Sequence, residues 1–202
     1  MPEVSWNGSD NTVTKLWRYN QHYFDDLNAV ESPKRKVWHD QLIKNWISNN
    51  SIGKGIGWDP YPTSIRIVNW IKWFLLNDTT NQTWQNSLAI QTRFLSQNLE
   101  YHLLGNHLFA NAKALVFSGL FFKGEESDYW YQLGISIIKE ELPEQVLSDG
   151  GNFELSPMYH AIFLEDLLDL VNIHQSYDKI LPDNIITKIL NLFTFLVSKK
   201  CN

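Results

Sequence analysis

Several protein classes are excluded by what this sequence lacks. One cysteine, Cys201, occurs among the 202 residues, so neither a disulfide framework nor a cysteine-rich metal site is predicted. No run of about 18 apolar residues is present, and a membrane-spanning helix is therefore not predicted. The first residues show no basic leader and no apolar core, so no signal peptide is visible. Periplasmic and cytoplasmic locations both stay open.

Clustered positive charge is also missing. The formal net charge is −5 at pH 7, whereas a nucleic-acid-binding surface needs many Lys and Arg side chains. The motifs HExxH, GxGxxG and GxSxG and the phosphate-binding P-loop are absent, so no cofactor is predicted. His107, His160 and Glu154 have the chemistry of metal ligands, but their spacing does not require a metal and none is predicted.

Strand patterns are absent and helical patterns take their place. No alternation of polar and apolar residues is bounded by hairpin turns. Trp38, Leu42 and Trp46 instead recur every four residues, which is typical of a helix. Ser156-Pro157 combines a capping residue with a proline in the first turn. Seven helices are predicted, one starting after Ser32, five at roughly residues 63–76, 83–98, 106–122, 127–141 and 156–174, and one from Pro182 to Val197.

Helices of this length joined by short loops favour antiparallel helical hairpins and an all-α fold. Such hairpins can wind into a toroid or form an ordinary bundle. Residues 1–31 are predicted to be an irregular, aromatic-rich segment with at most a short helix, packed on a helical domain of residues 32–202. Because the chain stops soon after an apolar helix, we expect it to be part of a longer protein.

Aromatic residues are abundant, with nine Trp, eight Tyr and eleven Phe. Side chains of this size fill a core, or they line a groove that stacks on flat ligands such as sugar rings. Composition alone favours the core for most of them.

The densest group of polar side chains lies in residues 149–160, DGGNFELSPMYH, here called the Gly-Gly segment. Its two glycines permit a tight turn with positive φ before the helix that starts at Ser156. Tyr159 then falls in the first helical turn, where backbone N–H groups and the helix dipole favour an anion. A half-buried Tyr with a hydrogen-bonded hydroxyl is the competing interpretation. The neighbourhood supports a site because it also contains Asn152, Glu154 and His160.

A second polar group, Gly105-Asn106-His107, opens the helix predicted over residues 106–122 and is here called the Gly-Asn-His segment. His107 and Asn111 are four residues apart and share a helix face. The Asn106 amide has a donor for a carboxylate. A role as the helix N-cap is the alternative for Asn106, and the two roles are compatible.

A third patch, residues 58–62, precedes a nearly apolar helix that contains Arg66. An arginine in such a helix needs a partner, which is Asp59, another acid or a substrate carboxylate. An ion pair within the fold is the favoured interpretation.

Taken together, four segments resemble the heparinase II/III family of polysaccharide lyases, specifically its helical N-terminal domain. They occur in the family's order and cover most of the chain from about residue 16 to 171. The segments are LWRYNQHYFDDL (16–27), WDPYPTSIRIVNWIKW (58–73), GNHLFANAKALVFSGLFF (105–122) and DGGNFELSPMYHAIFLEDLLDL (149–170).

The resemblance implies an incomplete α/α toroid, followed by a β-sandwich domain, in a bacterial enzyme. It also implies that an acidic polysaccharide containing uronate, such as a glycosaminoglycan-like or alginate-like substrate, is cleaved by β-elimination. Asn106 would neutralise the uronate carboxylate, and Tyr159 would transfer the proton as acid and as a candidate base. His107 and His160 would flank the site. The residues expected to bind substrate are Arg66, Trp58, Tyr61, Asn111 and Glu154.

One feature departs from the family pattern. The family places a further catalytic His on the β-sandwich domain, and these 202 residues contain no such domain. We therefore expect the β-sandwich domain of the same protein as a partner, and the helical fragment by itself to be inactive.

Two other functions stay open at this stage. A glycoside hydrolase on an α/α barrel would use two acids, drawn from Asp59, Asp149 and Glu154. A glycan-binding or scaffold module would use none of these groups for chemistry.

Overall fold

The computed structural model describes residues 4–6, 13–103, 105–181 and 184–199. Three short 3₁₀ helices in these ranges span Asp25–Asn28, Ser32–Arg35 and Ile56–Trp58. Eight α-helices occur there: α1 Lys15–Asn20, α2 Lys36–Asn49, α3 Pro60–Leu76, α4 Gln82–Ser96, α5 Asn106–Phe121, α6 Glu125–Gln145, α7 Pro157–Ser176 and α8 Asn184–Lys199. The same ranges contain no strand, only an isolated β-bridge between Val146 and Asn152. The all-α class is confirmed, and the toroidal arrangement stays a prediction.

The observed helix boundaries follow the sequence signals closely. Helices α3, α4, α5 and α7 lie within a few residues of the predicted ranges. At the start of α7, the Ser156 hydroxyl accepts a hydrogen bond from the Tyr159 N–H, as the capping signal predicts. Ser32-Pro33 begins a 3₁₀ helix, and α2 follows from Lys36. The predicted start at Pro182 lies outside the described residues.

The predicted end of the fifth helix before Pro143 is wrong. Helix α6 continues through Pro143 to Gln145. A proline removes one backbone donor and crowds the preceding turn, which is most costly in a helix interior. Here only two helical residues follow Pro143, so the disturbance is confined to the last turn.

The chain divides into two compact units, Met1–Leu99 and Glu100–Asn202. The first unit has an aromatic core in which the Trp46 ring contacts both Trp58, in a tilted arrangement, and Trp70, edge-to-face. Of the nine Trp, Trp17 and Trp38 are exposed and the other seven are buried. The expectation that most of these side chains fill the core is therefore confirmed for tryptophan.

The second unit is arranged around α5, which is buried on nearly all sides. Helix α5 packs against α6 and α7, and α7 also packs against α8. The α5 and α6 backbones approach closely at Gly134, where a Cβ would stand 2.7 Å from the carbonyl oxygen of Ala112. Among the described residues, none of the helices has the length and apolarity needed to span a membrane.

A buried ion cluster joins α5 to α7. The Lys113 ammonium lies 2.7 Å from the Asp166 carboxylate and also donates to Asp169. Burial lowers the pKa of Lys113 and the two carboxylates raise it, with a net rise. Each buried charge of the cluster has a partner, so loss of one member would leave an uncompensated charge in the second unit.

Candidate active site

Helix α5 begins at Asn106, behind a glycine in a conformation that other residues rarely adopt. Gly105 is the N-cap residue, with φ 96° and ψ −150°, and no side chain caps the helix there. Asn106 is therefore the first residue within the helix and not its N-cap. This position places the Asn106 side chain beside the N–H groups and the positive dipole end of α5.

The Gly-Gly segment turns sharply between α6 and α7. Gly150 has φ 87°, which confirms the predicted tight turn, and the Asp149 carboxylate accepts from the Gly151 N–H at 2.9 Å. Leu155, just before the α7 cap, is exposed and also has a positive φ of 54°. Backbone hydrogen bonds close two turns here, from the Gly150 N–H to the Leu147 carbonyl oxygen and from the Leu155 N–H to the Asn152 carbonyl oxygen, both at 3.0 Å.

Gln145, at the end of α6, ties the Gly-Asn-His segment to the Gly-Gly segment. Its side-chain Nε2 donates to the Gly105 carbonyl oxygen at 3.2 Å. The backbone carbonyl oxygen of Gln145 accepts from Asn152 Nδ2 and from the Phe153 N–H, both at 3.2 Å. Gln145 is 2% exposed, and its Oε1 has no hydrogen-bond partner among the described residues. The two segments that sequence reasoning selected are therefore held at one place.

Glu154 also connects the two segments. Its carboxylate oxygen Oε1 lies beside Gly105, 3.2 Å from the position that a Cβ would take there. Its backbone N–H donates to Asn152 Oδ1 at 3.1 Å. This half-buried carboxylate stands close to the N-terminus of α5, whose dipole favours negative charge.

His107 and Asn111 share a buried carboxylate, that of Glu100. Glu100 Oε1 lies 3.2 Å from His107 Nδ1, and Oε2 accepts from Asn111 Nδ2 at 3.2 Å. The Glu100 N–H donates to Asn111 Oδ1 at 3.0 Å. Asn111 is fully buried, whereas the His107 side chain is 31% exposed. The prediction that His107 and Asn111 share one face of α5 is confirmed, because both side chains contact the Glu100 carboxylate.

Tyr159 and His160 differ in their surroundings. Tyr159 is half-buried in the first turn of α7, and its backbone N–H donates a hydrogen bond to the Ser156 hydroxyl. His160 is buried, and its Nδ1 accepts from the Asn152 N–H at 3.3 Å. Because that nitrogen accepts, Nε2 carries the proton and donates to the Leu192 carbonyl oxygen at 3.2 Å. Both His160 nitrogens are thus engaged in holding the segment.

Helix α8 closes over the Gly-Gly segment. Lys188 Nζ donates to the Val146 carbonyl oxygen at 2.9 Å. The Phe195 ring stacks on the His160 imidazole, with ring centroids 5.4 Å apart. These contacts fix the loop that precedes Tyr159 from its outer side.

Three predicted site residues, Trp58, Tyr61 and Arg66, lie in the first unit. The Arg66 guanidinium is fully buried and donates to neutral oxygens, including Gln91 Oε1 at 2.7 Å and the Gly57 carbonyl oxygen at 2.8 Å. Burial lowers its pKa well below the ordinary value. No acid is among its partners in the described residues, so the ion pair favoured from the sequence is not formed. This environment favours a structural role for Arg66.

The other residues of the 58–62 patch are held in similar ways. Trp58 is 3% exposed and packs edge-to-face on Phe94. The Asp59 carboxylate accepts a hydrogen bond from the Tyr19 hydroxyl at 2.6 Å and forms an ion pair with Lys15 Nζ at 3.4 Å. Tyr61 is half-buried, with its ring edge on Tyr23. Of the patch residues predicted to bind substrate, Tyr61 is the more accessible.

Two residues in the second unit were missed by sequence reasoning. Gln145 follows Pro143 in a polar stretch that carries no motif, and Glu100 stands seven residues before His107 across a turn. Glu100 lies in the turn before α5, so its spacing from His107 does not reflect a shared helix face, and no signal in the sequence marks either contact. No group of three His, Cys, Asp or Glu residues suited to a metal occurs among the described residues.

Comparison with known families gives one match over almost the whole chain. The family model for the heparinase II/III N-terminus matches residues 14–200. That range includes every residue proposed above for the site.

Curated relatives are heparin-sulfate lyases. The one from Pedobacter heparinus is 32% identical over 116 residues, which is 56% of this chain and 17% of the relative. The one from Bacteroides stercoris is 37% identical over 78 residues, 38% of this chain and 12% of the relative. The one from Bacteroides thetaiotaomicron is 27% identical over 148 residues, 67% of this chain and 21% of the relative. The chain spans about a fifth or less of the length of these relatives.

Solved structures show the same helical fold. The heparan sulfate lyase from Pedobacter heparinus superposes with a TM-score of 0.68 at 23% identity, over 96% of this chain and 34% of that chain. A heparinase III structure superposes with a TM-score of 0.70 at 19% identity, over 96% of this chain and 36% of that chain.

Proposed function

Because this chain belongs to the heparinase II/III family, we propose that it is the helical catalytic domain of a polysaccharide lyase. The substrate class is an acidic polysaccharide that contains uronate. The names of the relatives make a heparin-type glycosaminoglycan the first substrate to test. The observation that carries the proposal is the bridge at Gln145, because it holds the segment of Asn106 against the segment of Tyr159.

The reaction proposed is a β-elimination across C4 and C5 of the uronate. A base removes the C5 proton, the electron pair of that bond forms the C4–C5 double bond, and the C4–O bond breaks. An acid protonates the departing oxygen, so the products are a new chain end with a hydroxyl and an unsaturated uronate. The barrier falls when the carboxylate is neutralised, since negative charge spreads onto it as the C5 proton leaves.

Asn106 has the residue type and the position for neutralising that carboxylate. Its amide can donate to an oxygen and carries no charge that would repel it. The first turn of α5 adds outward-pointing N–H groups and the positive end of the helix dipole, both of which favour an anion.

Tyr159 is proposed as the proton-transfer residue. Its phenol can protonate the departing oxygen, and the resulting phenolate would lie at the positive end of α7. His107 would flank the substrate as a further polar group on α5. His160 is proposed to act through position, because both of its ring nitrogens bind backbone groups.

The remaining sequence-based roles divide by burial. Glu154 stays a candidate for substrate contact because its half-buried carboxylate lies beside Gly105. Asn111 is fully buried, which favours support of Glu100 over contact with substrate. In the first unit, burial favours structural roles for Trp58 and Arg66, and Tyr61 stays a candidate for the cleft.

The net charge of −5 is unfavourable for a polyanionic substrate. We therefore propose that a β-sandwich domain of the full-length protein supplies positive charge and the further catalytic His. The acidic polysaccharide would bind between that domain and the helical domain.

The decisive test is Tyr159→Phe in the full-length protein, assayed with heparin-type polysaccharide by the ultraviolet absorbance of the new conjugated double bond. We expect kcat to fall by about 10²–10⁴-fold, the usual contribution of a positioned proton donor. Tyr177→Phe is the matched control, because Tyr177 is a half-buried tyrosine at the opposite end of α7. Its activity should stay at the wild-type level.

Other outcomes would replace the proposal. A saturated reducing sugar as the product would indicate hydrolysis by two of Asp59, Asp149 and Glu154. Tight glycan binding without turnover, unchanged by Tyr159→Phe, would indicate a binding module.

A further inference from the structure

Glu100 occupies an unusual position for a carboxylate in this fold. It is 5% exposed, yet its hydrogen-bond partners Asn111 and His107 carry no fixed positive charge. A buried carboxylate is costly to desolvate and is retained where its hydrogen bonds offset that cost. Both of its oxygens are engaged on the first two turns of α5, immediately after Asn106.

Asn111 sets the orientation of the Glu100 carboxylate. The Glu100 backbone N–H can only donate, so the Asn111 atom 3.0 Å away must be the oxygen Oδ1. The Asn111 NH₂ group must then face Glu100 Oε2, as observed at 3.2 Å. The amide is therefore fixed by a backbone group and cannot be reversed without losing a bond.

The same logic assigns the proton on His107. Glu100 Oε1 lies 3.2 Å from His107 Nδ1, and a carboxylate oxygen accepts. Nδ1 must carry the proton, and in the neutral ring Nε2 holds the lone pair. A carboxylate that orients a histidine in this way is a recurring device for selecting the tautomer that meets a substrate.

We propose that Glu100 is a positioning residue for the lyase reaction: held by Asn111, it fixes the His107 ring as the Nδ1–H tautomer, one residue after Asn106 at the start of α5. The catalytic part of this statement rests on the proposed function. The tautomer part rests on geometry alone and can be measured without substrate.

Glu100→Gln gives a sharp test, because the substitution keeps the shape and changes the donors. The oxygen of the new side-chain amide must face the fixed NH₂ of Asn111, so its NH₂ turns toward His107 Nδ1. A neutral imidazole can meet that donor only by accepting at Nδ1. The variant should therefore convert His107 to the Nε2–H tautomer.

A second substitution should reverse the first. In the double variant Glu100→Gln/Asn111→Asp, the side chain at position 111 still accepts from the backbone N–H with one oxygen. Its other oxygen now accepts from the side-chain NH₂ at position 100, which leaves the amide oxygen at position 100 facing His107 Nδ1. The Nδ1–H tautomer should return, and the total charge of the pair is that of the wild type.

The tautomer can be read from long-range ¹H–¹⁵N spectra of the histidine rings at a pH where they are neutral. His107→Gln assigns the His107 signals by their loss. His174 and His160 are internal references of opposite type, since His174 Nδ1 donates to the Leu170 carbonyl oxygen and His160 Nδ1 accepts from a backbone N–H. Both references should stay unchanged in the Glu100 variants.

Activity of the full-length protein is the second readout. We expect Glu100→Gln to lower kcat by about 10-fold or more with a smaller change in KM, and the double variant to recover most of it. An Nε2–H tautomer in the wild type would overturn the proposal, and this spectrum needs no variant to fold. A tautomer that switches without any change in kcat would overturn the positioning role. Absence of an unsaturated product in the wild type would instead refute the proposed function and leave the tautomer result standing.

Discussion

Gly150 lies directly against the backbone of Asn191 in α8. A Cβ at residue 150 would stand 2.4 Å from the Asn191 carbonyl oxygen, closer than real contacts allow. Gly150 also has φ 87°, a conformation that favours glycine. Glycine is therefore required here both for the backbone conformation and for the close approach to α8. The turn before Tyr159 is therefore packed directly against α8.

Gly150→Ala should be strongly destabilising. The substitution combines the strain of a positive φ with a backbone clash, for a loss of about 3 kcal/mol in the free energy of unfolding. Gly124→Ala separates the two effects, because Gly124 has φ 110° with nothing near its Cβ position. That control carries the backbone strain alone and should lose less, about 1–2 kcal/mol. Equal losses in urea titrations of the two variants would contradict the close contact with α8.

Lys113→Met should destabilise the second unit by about 3–5 kcal/mol, because the buried carboxylates of Asp166 and Asp169 then lose the cation that they share. The exposed pair of Lys34 and Glu31 offers a control, and Lys34→Met should cost less than about 1 kcal/mol. Chemical denaturation at neutral pH measures both. A cost for Lys113→Met no larger than that of the control would show that the cluster contributes little.

The same lysine predicts an alkaline limit to stability. The pKa of Lys113 is raised above its ordinary value of 10.5 in the folded state. Its contribution is therefore complete below the ordinary pKa and is lost as the pH rises through the folded value. Unfolding titrations above pH 10 should show a steeper decline for the wild type than for Lys113→Met. Parallel curves for the two proteins would count against the raised pKa.

His22 predicts an acid-dependent loss of stability in the first unit. Burial, and next the positive charge of Arg66, lowers its pKa from 6.5 to about 4. Between these pH values His22 is protonated in the unfolded chain but neutral in the folded state. The free energy of unfolding therefore falls as the pH drops from 6.5 toward 4. The loss is about 3 kcal/mol.

Urea unfolding at several pH values, followed by tryptophan fluorescence, measures this effect. His22→Gln should be less stable at pH 7, since Trp46 Nε1 donates to His22 Nδ1, but its stability should depend less on pH. His102→Gln is the control, because His102 is exposed. An acid slope that survives unchanged in His22→Gln would assign the effect to other groups.

Gln145→Met should separate activity from stability. Methionine fills a similar volume and removes a buried Oε1 that has no partner in the described residues, but the Gly105 carbonyl oxygen loses its donor, so stability should fall by about 1–3 kcal/mol. The bond from Nε2 to the Gly105 carbonyl oxygen is lost, which loosens the position of Asn106. We expect kcat of the full-length protein to fall by about 10-fold or more. Full activity in Gln145→Met would remove the bridge from the proposed mechanism.

Much of the local structure could be predicted because it depends on neighbouring residues. The start of α7 follows from Ser156 and Pro157, and the φ of Gly150 follows from a glycine in a tight turn. The all-α class follows from apolar spacing along single helices. The helix end predicted before Pro143 is wrong because a proline near a helix end costs less than one in the interior.

The partners of individual side chains were far less predictable. Arg66 was expected to find an acid, but it donates to neutral oxygens and lies 3.9 Å above the Trp46 ring. Asp59, the nearest acid in the sequence, pairs with Lys15 and Tyr19 instead. Except for the bond to Gly57, these contacts span 20 residues or more, and only the packing of the first unit decides which groups meet.

The sequence by itself determined the helical class, the main helix starts and the order of the family segments, because periodicity, capping and turn chemistry act over a few residues. Tertiary structure alone decided that Gln145 joins the two segments and that Glu100 lies between Asn111 and His107. Hydrogen-bond partners depend on distances of about 3 Å between groups that packing brings together, and no local pattern encodes those distances.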